Sequence, residues 1–230
     1  MIHITEATPE EILGFLNDTE RKHAPERLYL SGDLDLLKRG ARVSIVGSRQ
    51  PSGEGLARAR KLARRLVERG IIVVSGLAEG IDTAAHESAI EHGGRTIAVL
   101  GTPLDRTYPR DNIALQDAIM RSHLAVSQFP AGTPVRKWNF PLRNRTMALI
   151  SQASVIIEAG ESSGTLSQGW EALRLGRRLF LMASVAENPT LRWPREMMRY
   201  GAKILSEENL EEVLEELSLM ERGREAELAF

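Results

Sequence analysis

The sequence contains no cysteine, which excludes disulfide bonds, thiolate metal ligands and cysteine nucleophiles. Histidine is scarce, with five residues and no ligand-like spacing, so we expect no metal site. No apolar run approaches the ~18 residues that span a bilayer, and the N-terminus lacks the basic and apolar segments of a signal peptide. These absences favour a cytoplasmic globular protein.

The net charge is only −1, but the two signs are distributed unevenly. From Glu207 onward the chain has nine glutamates and two arginines, which leaves a net charge of +6 on residues 1–206. A basic body of this kind can bind a polyanion, although blocks of surface charge are more often simply solvated.

Apolar and amphipathic segments alternate along most of the chain. Helical periodicity is clearest in residues 55–70, where an apolar stripe ends at Gly70. Alternation of strands with helices predicts a doubly wound α/β fold with a mostly parallel, Rossmann-like sheet. Runs rich in β-branched residues predict its strands at residues 43–47, 71–76, 96–101, 124–129, 154–160, 178–183 and 203–205.

The two ends differ from this central domain, which is assigned to residues 28–206. Residues 1–27 predict a short helical arm that leads into a loop at residues 24–34. Residues 207–230 predict an acidic terminal helix and tail with one apolar stripe. The stripe is interpreted as docking on the domain, with a contact between two copies or with a partner protein as the alternatives.

Four short segments carry residue types suited to phosphate: GSR, SGLAEG, FPLRNR and SSGT. They offer guanidinium forks, hydroxyl groups, and glycines that allow close backbone approach before a helix. FPLRNR is interpreted as a loop that starts with an aromatic–proline turn and leads into a helix over residues 145–153. The candidate binding residues are Gly47, Ser48 and Arg49; Ser75, Gly76 and Gly80; Arg143, Asn144 and Arg145; and Ser163, Gly164 and Thr165.

Ligands of parallel sheets bind at the carboxyl ends of the strands, where strand order reverses, so these segments predict a single cationic cleft. A dinucleotide site is disfavoured, because there is no GxGxxG motif and no acidic residue at the end of the second strand. Gly47 alone is equally compatible with a tight strand–helix turn. Asp82 is interpreted as a helix N-cap rather than a base, and His86 as a packed, hydrogen-bonded histidine.

The segment RKWNFP alternates cations with aromatic residues. Lys137 could contact a nucleic-acid backbone while Trp138 or Phe140 stacks on an unpaired base, a contact worth roughly 1–3 kcal/mol. The alternative is that both aromatic residues anchor the core and the cations only coat its rim.

Together these segments resemble the DNA-processing protein A family, also called Smf, over about residues 28–205. Seven motifs carry the resemblance in matching order: VSIVGSR, SGLAEGIDTAAH, TIAVLGTPLDRTYPRDN, FPAGTP, WNFPLRNR, VIIEAGESSGTL and ALRLGR. The chain resembles a divergent short form, with too few residues for the preceding helical module and the following winged-helix domain of many members. Gln128, the SQGW segment and residues 182–184 also depart from the family pattern.

The resemblance implies a non-enzymatic, cofactor-free protein that binds single-stranded DNA in a basic pocket. It also implies a homodimer that protects single strands in DNA uptake, recombination, repair or defence and transfers them to a RecA-type recombinase. By motif, the implied pocket comprises Gly47, Ser48, Arg49, Lys137, Phe140, Arg143, Arg145 and the loop at residues 163–165.

An enzymatic alternative comes from ESSGT and Glu171, which partly resemble the loop and catalytic glutamate of the LOG or lysine-decarboxylase-like phosphoribohydrolases. The glycine pair of that loop is missing here. In this alternative, Glu171 with Arg143 or Arg145 would cleave the N-glycosidic bond of a nucleoside monophosphate.

Overall fold

The computed structural model describes the backbone of residues 3–228 and the side chains of residues 3–219. A nine-stranded sheet has the spatial order β1-β2-β6-β5-β4-β3-β7-β8-β9. Neighbouring strands from β6 to β9 run parallel, and β1 and β2 are antiparallel. The strands are β1 (Thr5–Ala7), β2 (Leu28–Gly32), β3 (Arg42–Val46), β4 (Ile72–Ser75), β5 (Thr96–Leu100), β6 (Leu124–Ser127), β7 (Ala153–Ile156), β8 (Arg178–Met182) and β9 (Lys203–Leu205).

Helices cover both faces of this sheet. One face packs on α3, α4 and α10, and the other on α6, α7 and α9. The doubly wound α/β fold predicted from the sequence is therefore confirmed. The helices are α1 (Pro9–Leu13), α2 (Asp18–His23), α3 (Gly53–Glu68), α4 (Ile81–Glu91), α5 (Ile113–Ser122), α6 (Asn139–Ile150), α7 (Leu166–Arg174), α8 (Ala183–Ala186), α9 (Trp193–Arg199) and α10 (Leu210–Leu228).

The predicted loop at residues 24–34 is wrong, because it contains strand β2. Leu28 and Leu30 are fully buried and alternate with Tyr29 and Ser31 along this strand. β1 adds a further strand antiparallel to β2, so the predicted N-terminal arm contributes residues 5–7 to the sheet as well as forming α1 and α2. Three to five residues give too little periodicity to distinguish an edge strand from a loop.

The apolar stripe of α10 packs against the sheet, as the docked interpretation requires. Val213, Leu214 and Leu217 are buried in the same cluster as Phe180 and Leu205. Glutamates of this C-terminal segment pair with cations of the body: Lys61 with Glu207, Arg65 with Glu211 and Arg178 with Glu216. Part of the charge asymmetry seen in the sequence is therefore neutralised within the fold.

Parts of the predicted terminal segments lie outside the residues that the structure describes, namely residues 1–2, residues 229–230 and the side chains of residues 220–228. Over residues 3–228, no helix combines the length and the apolar character that crossing a membrane requires.

Candidate functional site

The strand order of the sheet reverses at β3. Strands β4, β5 and β6 extend the sheet on one side of β3, and β7, β8 and β9 extend it on the other. The loops that follow β3 and β7 therefore diverge and leave a crevice at the carboxyl ends of the strands. A cleft of about 690 Å³ lies there, lined by both of these loops, by the loop after β4 and by α6.

Most of the predicted binding residues line this cleft. They are Gly47, Ser48, Arg49, Phe140, Arg143, Asn144, Ser163, Gly164 and Thr165. A smaller cavity beside the cleft includes Gly76 and shares Arg49, Phe140 and Arg143 with it. The structure does not bring Ser75, Gly80, Lys137 or Arg145 into the lining of either cavity.

The loops after β3 and β7 are fastened to each other. The backbone N–H of Ser48 donates to the carbonyl of Glu158 at 2.7 Å, and the Thr165 hydroxyl donates to the carbonyl of Gly47 at 2.9 Å. The Glu158 carboxylate accepts from the backbone N–H of Ser52 at 2.9 Å and from its hydroxyl at 2.5 Å, which fixes the start of α3. The cleft is thus preorganised on this side.

Residues 140–145 lie in α6, so their prediction as a loop with an aromatic–proline turn is wrong. Pro141 is tolerated there because the N–H groups of a helical first turn have no intrahelical acceptor. Residues three or four apart share one face of a helix, and accordingly Phe140, Arg143, Asn144 and Met147 all line the cleft.

The two arginines of α6 do not act as a pair on the cleft. Arg145 follows Arg143 by two residues, which turns it about 200° around the helix axis. Its Nε lies 3.3 Å from the Glu171 carboxylate, which also accepts from Arg174 at 2.9 Å. The helical structure therefore directs Arg143 into the cleft and Arg145 toward α7.

Arg143 is buried at the floor of the cleft. Its Nη1 donates to the carbonyl of Val99 at 2.9 Å. A Cβ added to Gly76 would lie 1.4 Å from the same nitrogen, so this position must be glycine to accommodate the guanidinium. Burial lowers the pKa of Arg143, and the nearby Asp82 carboxylate opposes this shift.

Asp82 is not the N-cap of α4, contrary to the prediction. Gly80 occupies that position with φ of +78°, and a Cβ there would lie 2.5 Å from the carbonyl oxygen of Ser48. The Asp82 carboxylate instead accepts from the backbone N–H groups of Gly76 at 3.1 Å and Ala78 at 3.4 Å. Burial raises the pKa of Asp82, while Arg143 lowers it. Asp82 thus shapes the loop beneath Arg143.

Arg49 is exposed at the mouth of the cleft and stacks on Phe140. Its guanidinium carbon lies 5.4 Å from the centroid of the Phe140 ring, a cation–π arrangement. The Tyr108 ring lies 5.5 Å from Phe140 and is 49% exposed. Tyr108 is not among the residues predicted from the sequence, although Arg106 and Arg110 flank it in the same cation–aromatic pattern that marked residues 136–141.

The other predicted residues have different surroundings. Ser75 is buried and donates to the carbonyl of Ile45 at 2.6 Å. Lys137 is exposed outside the cleft, next to Trp138, which is 58% exposed and therefore does not anchor the core. His86 is packed as predicted, with Nδ1 2.7 Å from the Thr96 hydroxyl, and burial lowers its pKa to about 3.

A doubly wound sheet with a cleft at its switch point, lined by an arginine, an aromatic ring and a helix start, places the chain among the Rossmann-like α/β proteins. The chain belongs to the DNA recombination-mediator protein A family, whose sequence model matches residues 8–218. The resemblance inferred from the seven motifs is therefore confirmed.

Individual relatives agree with this assignment. The chain is 34% identical over 193 residues to DNA processing protein DprA of Bacillus subtilis, covering 84% of this chain and 64% of that protein. It is similar to the X-ray structure of DprA from Streptococcus pneumoniae, with a TM-score of 0.75, 36% identity, and coverage of 88% of this chain and 71% of that one. The chain thus spans less than two thirds of its Bacillus relative.

The match to a second solved structure covers nearly all of this chain and nearly all of the other. That structure is DNA processing protein A from Helicobacter pylori, determined for its single-stranded DNA binding mode. The TM-score is 0.76 at 27% identity, and the match covers 94% of this chain and 98% of the other.

Proposed function

We propose that this chain binds single-stranded DNA in the switch-point cleft and acts as a mediator of DNA recombination. The observation that carries the proposal is the convergence of Arg49, Phe140 and the loop at residues 163–165 on one cleft. The single-stranded DNA binding of the Helicobacter pylori relative supports the same activity here.

Binding combines phosphate contacts with base stacking. Arg49 and the hydroxyl groups of Ser48 and Ser163 surround the space where a phosphate would lie, beside the start of α7. Release of counterions from the strand then contributes to affinity and makes it depend on salt. A base can stack on the Arg49 guanidinium, which already lies over Phe140, or on the exposed ring of Tyr108.

Arg143 has a different role in this proposal. Its charge faces the buried Asp82 carboxylate, and its Nη1 is held by the Val99 carbonyl. It therefore shapes the floor of the cleft and contributes less to phosphate neutralisation than the exposed Arg49. Asn144 has a similar positioning role, because its amide donates to the Ser167 hydroxyl and ties α6 to α7.

The finer aspects of the function rest on the family. The proposal includes transfer of the strand to a RecA-type recombinase and a homodimeric state. It also includes a role without catalysis and the location of the activity within residues 28–206. The phosphoribohydrolase alternative is not favoured, because Glu171 pairs with Arg145 and Arg174 and does not line the cleft. Incubation with AMP and assay for free adenine tests that alternative directly.

A salt titration of DNA binding tests the proposal. The fluorescence anisotropy of an unstructured labelled oligonucleotide should rise on binding, with an affinity that falls linearly on a logarithmic salt scale. The matched duplex should bind more weakly, because its bases are not available for stacking. Equal binding of both, or no binding at low salt, would contradict the proposal.

A further inference from the structure

Arg49, the exposed cation at the mouth of the cleft, lies in the short loop between β3 and α3. This loop, residues 48–52, contains no other charged residue. The Arg49 guanidinium stacks on Phe140 at the end of a long, flexible side chain. Where that guanidinium lies therefore depends on how firmly the backbone of the loop is held.

Glu158, two residues after β7, binds both ends of this loop. Its backbone carbonyl accepts from the N–H of Ser48 at 2.7 Å. Its carboxylate accepts from the backbone N–H of Ser52 at 2.9 Å and from the Ser52 hydroxyl at 2.5 Å. One residue of a neighbouring strand's loop thus closes the loop that carries Arg49.

The two ends of the loop differ in their other supports. The start has a second one, because the N–H of Ile81 donates to the Ser48 carbonyl at 3.2 Å. At the end, within the residues that the structure describes, the hydrogen bonds of Ser52 go to Glu158 and to the first turn of α3. The carboxylate of Glu158 therefore ties the end of the loop to the sheet.

The same carboxylate occupies the space at the start of α3. A Cβ added to Gly55 would lie 2.5 Å from Oε2 of Glu158, so the first turn of the helix approaches the carboxylate closely. Negative charge is favourable at a helix N-terminus. Glu158 lines neither the cleft nor the smaller cavity. Its influence on a bound strand therefore has to pass through the loop.

We propose that Glu158 is a positioning residue for DNA binding, which anchors the loop at residues 48–52 so that Arg49 is presented to the phosphates of the strand. The inference rests on the proposed function and adds to it a residue that does not touch DNA. An anchored loop loses less conformational freedom when the strand binds, so more of the Arg49 contact is expressed as affinity.

The sign of the effect separates positioning from electrostatics. A carboxylate near the cleft repels a polyanion, so its removal should by charge alone strengthen binding. Loss of the anchor should weaken binding. Three substitutions of Glu158 separate the two effects. Glu158→Ala removes the charge and the acceptor, Glu158→Gln removes the charge but keeps an acceptor oxygen, and Glu158→Asp keeps the charge on a shorter side chain.

Anisotropy titrations with a labelled, unstructured oligonucleotide at low salt compare these variants. Glu158→Ala and Glu158→Asp should bind about five-fold more weakly than the wild type, and Glu158→Gln should stay within about two-fold of it. The matched control is Glu54→Ala, which removes an exposed carboxylate of the first turn of α3 that pairs with Arg58. It should not weaken binding. Urea denaturation verifies that each variant is folded, and Glu158→Asp preserves the test if Glu158→Ala does not fold.

A double-mutant cycle identifies the residue through which Glu158 acts. In an Arg49→Ala background, Glu158→Ala should cause no further loss of affinity, because the side chain that it positions is already absent. A purely structural role would weaken binding in both backgrounds. Losses that multiply in the double variant would therefore overturn the inference.

The outcomes distinguish this inference from the function on which it rests. If the wild type binds the oligonucleotide and Glu158→Ala and Glu158→Asp bind equally well or more tightly, only the inference is overturned. An equal loss in Glu54→Ala would likewise overturn it, because charge near the start of α3 would then govern affinity. If the wild type binds no oligonucleotide at low salt, the proposed function fails together with the inference.

Discussion

Arg143 and Arg145 are separated by one residue of α6 and serve different parts of the molecule. Arg143 is buried beneath the cleft with its Nη1 on the Val99 carbonyl, whereas Arg145 reaches across to Glu171 on α7. The cationic character of the cleft mouth therefore depends mainly on Arg49, which is exposed and comes from a different loop. This separation of roles leads to distinct expectations for the arginines.

Arg49→Ala should lower the affinity for single-stranded DNA about ten-fold at low salt, because a charge-assisted contact to phosphate is lost. The slope of affinity against salt should also decrease by about one. Anisotropy titrations at several salt concentrations measure both quantities. Arg121→Ala, at an exposed position of α5, is the matched control and should leave both unchanged.

Tyr108→Ala should weaken binding about five-fold or more through loss of a stacking surface, with little change in the salt slope. Tyr108→Phe should retain binding, because the ring and its contact with Phe140 are preserved. The same titrations compare the two variants. Equal loss in both would indicate that the hydroxyl, and not the ring, makes the contact.

Arg143→Met should destabilise the fold, because the buried Asp82 carboxylate would lose its opposing charge. We expect the free energy of unfolding to fall by about 3 kcal/mol. Urea denaturation measures this loss. In the double variant Arg143→Met with Asp82→Asn, part of the stability should return, since the uncompensated charge is removed. Simple addition of the two single losses would show that the residues do not interact.

The fold could be predicted largely from local patterns. Strands β3, β4 and β5 are buried apolar runs, and each is followed by a glycine at the edge where the cleft forms. The gathering of Gly47, Arg49 and the loop at residues 163–165 follows from the parallel topology, because parallel strands end at a common edge.

Other features of the site depend on contacts between residues that are distant in the sequence. Pro141 suggested a turn, but it occupies the first turn of α6, and only that helix explains why Arg143 and Arg145 diverge. Aspartate is a common N-cap residue, but Asp82 does not cap α4. The helix begins at Ile81, and Gly80 occupies the N-cap position. Tyr108 carries the same cation–aromatic pattern as residues 136–141, but the pattern does not show that its loop returns to α6 and places the ring beside Phe140.

The buried His86 should make the protein less stable as the pH falls. Its pKa is lowered from 6.5 to about 3 by burial, so between these values the unfolded chain binds a proton that the folded chain does not. Stability contributed by the neutral imidazole is therefore complete above the unfolded pKa and is lost progressively toward pH 3. From pH 7 to pH 5 the free energy of unfolding should fall by about 2 kcal/mol through this group.

Comparison with a variant isolates the contribution of His86. Asp82, whose pKa is raised by burial, acts in the opposite sense, because its folded form gains a proton before the unfolded form does. His86→Gln should be less stable than wild type at neutral pH but should lose about 2 kcal/mol less between pH 7 and pH 5. Urea denaturation at the two pH values measures this difference, with the surface substitution His23→Gln as control. Parallel losses in wild type and His86→Gln would show that another group governs the acid response.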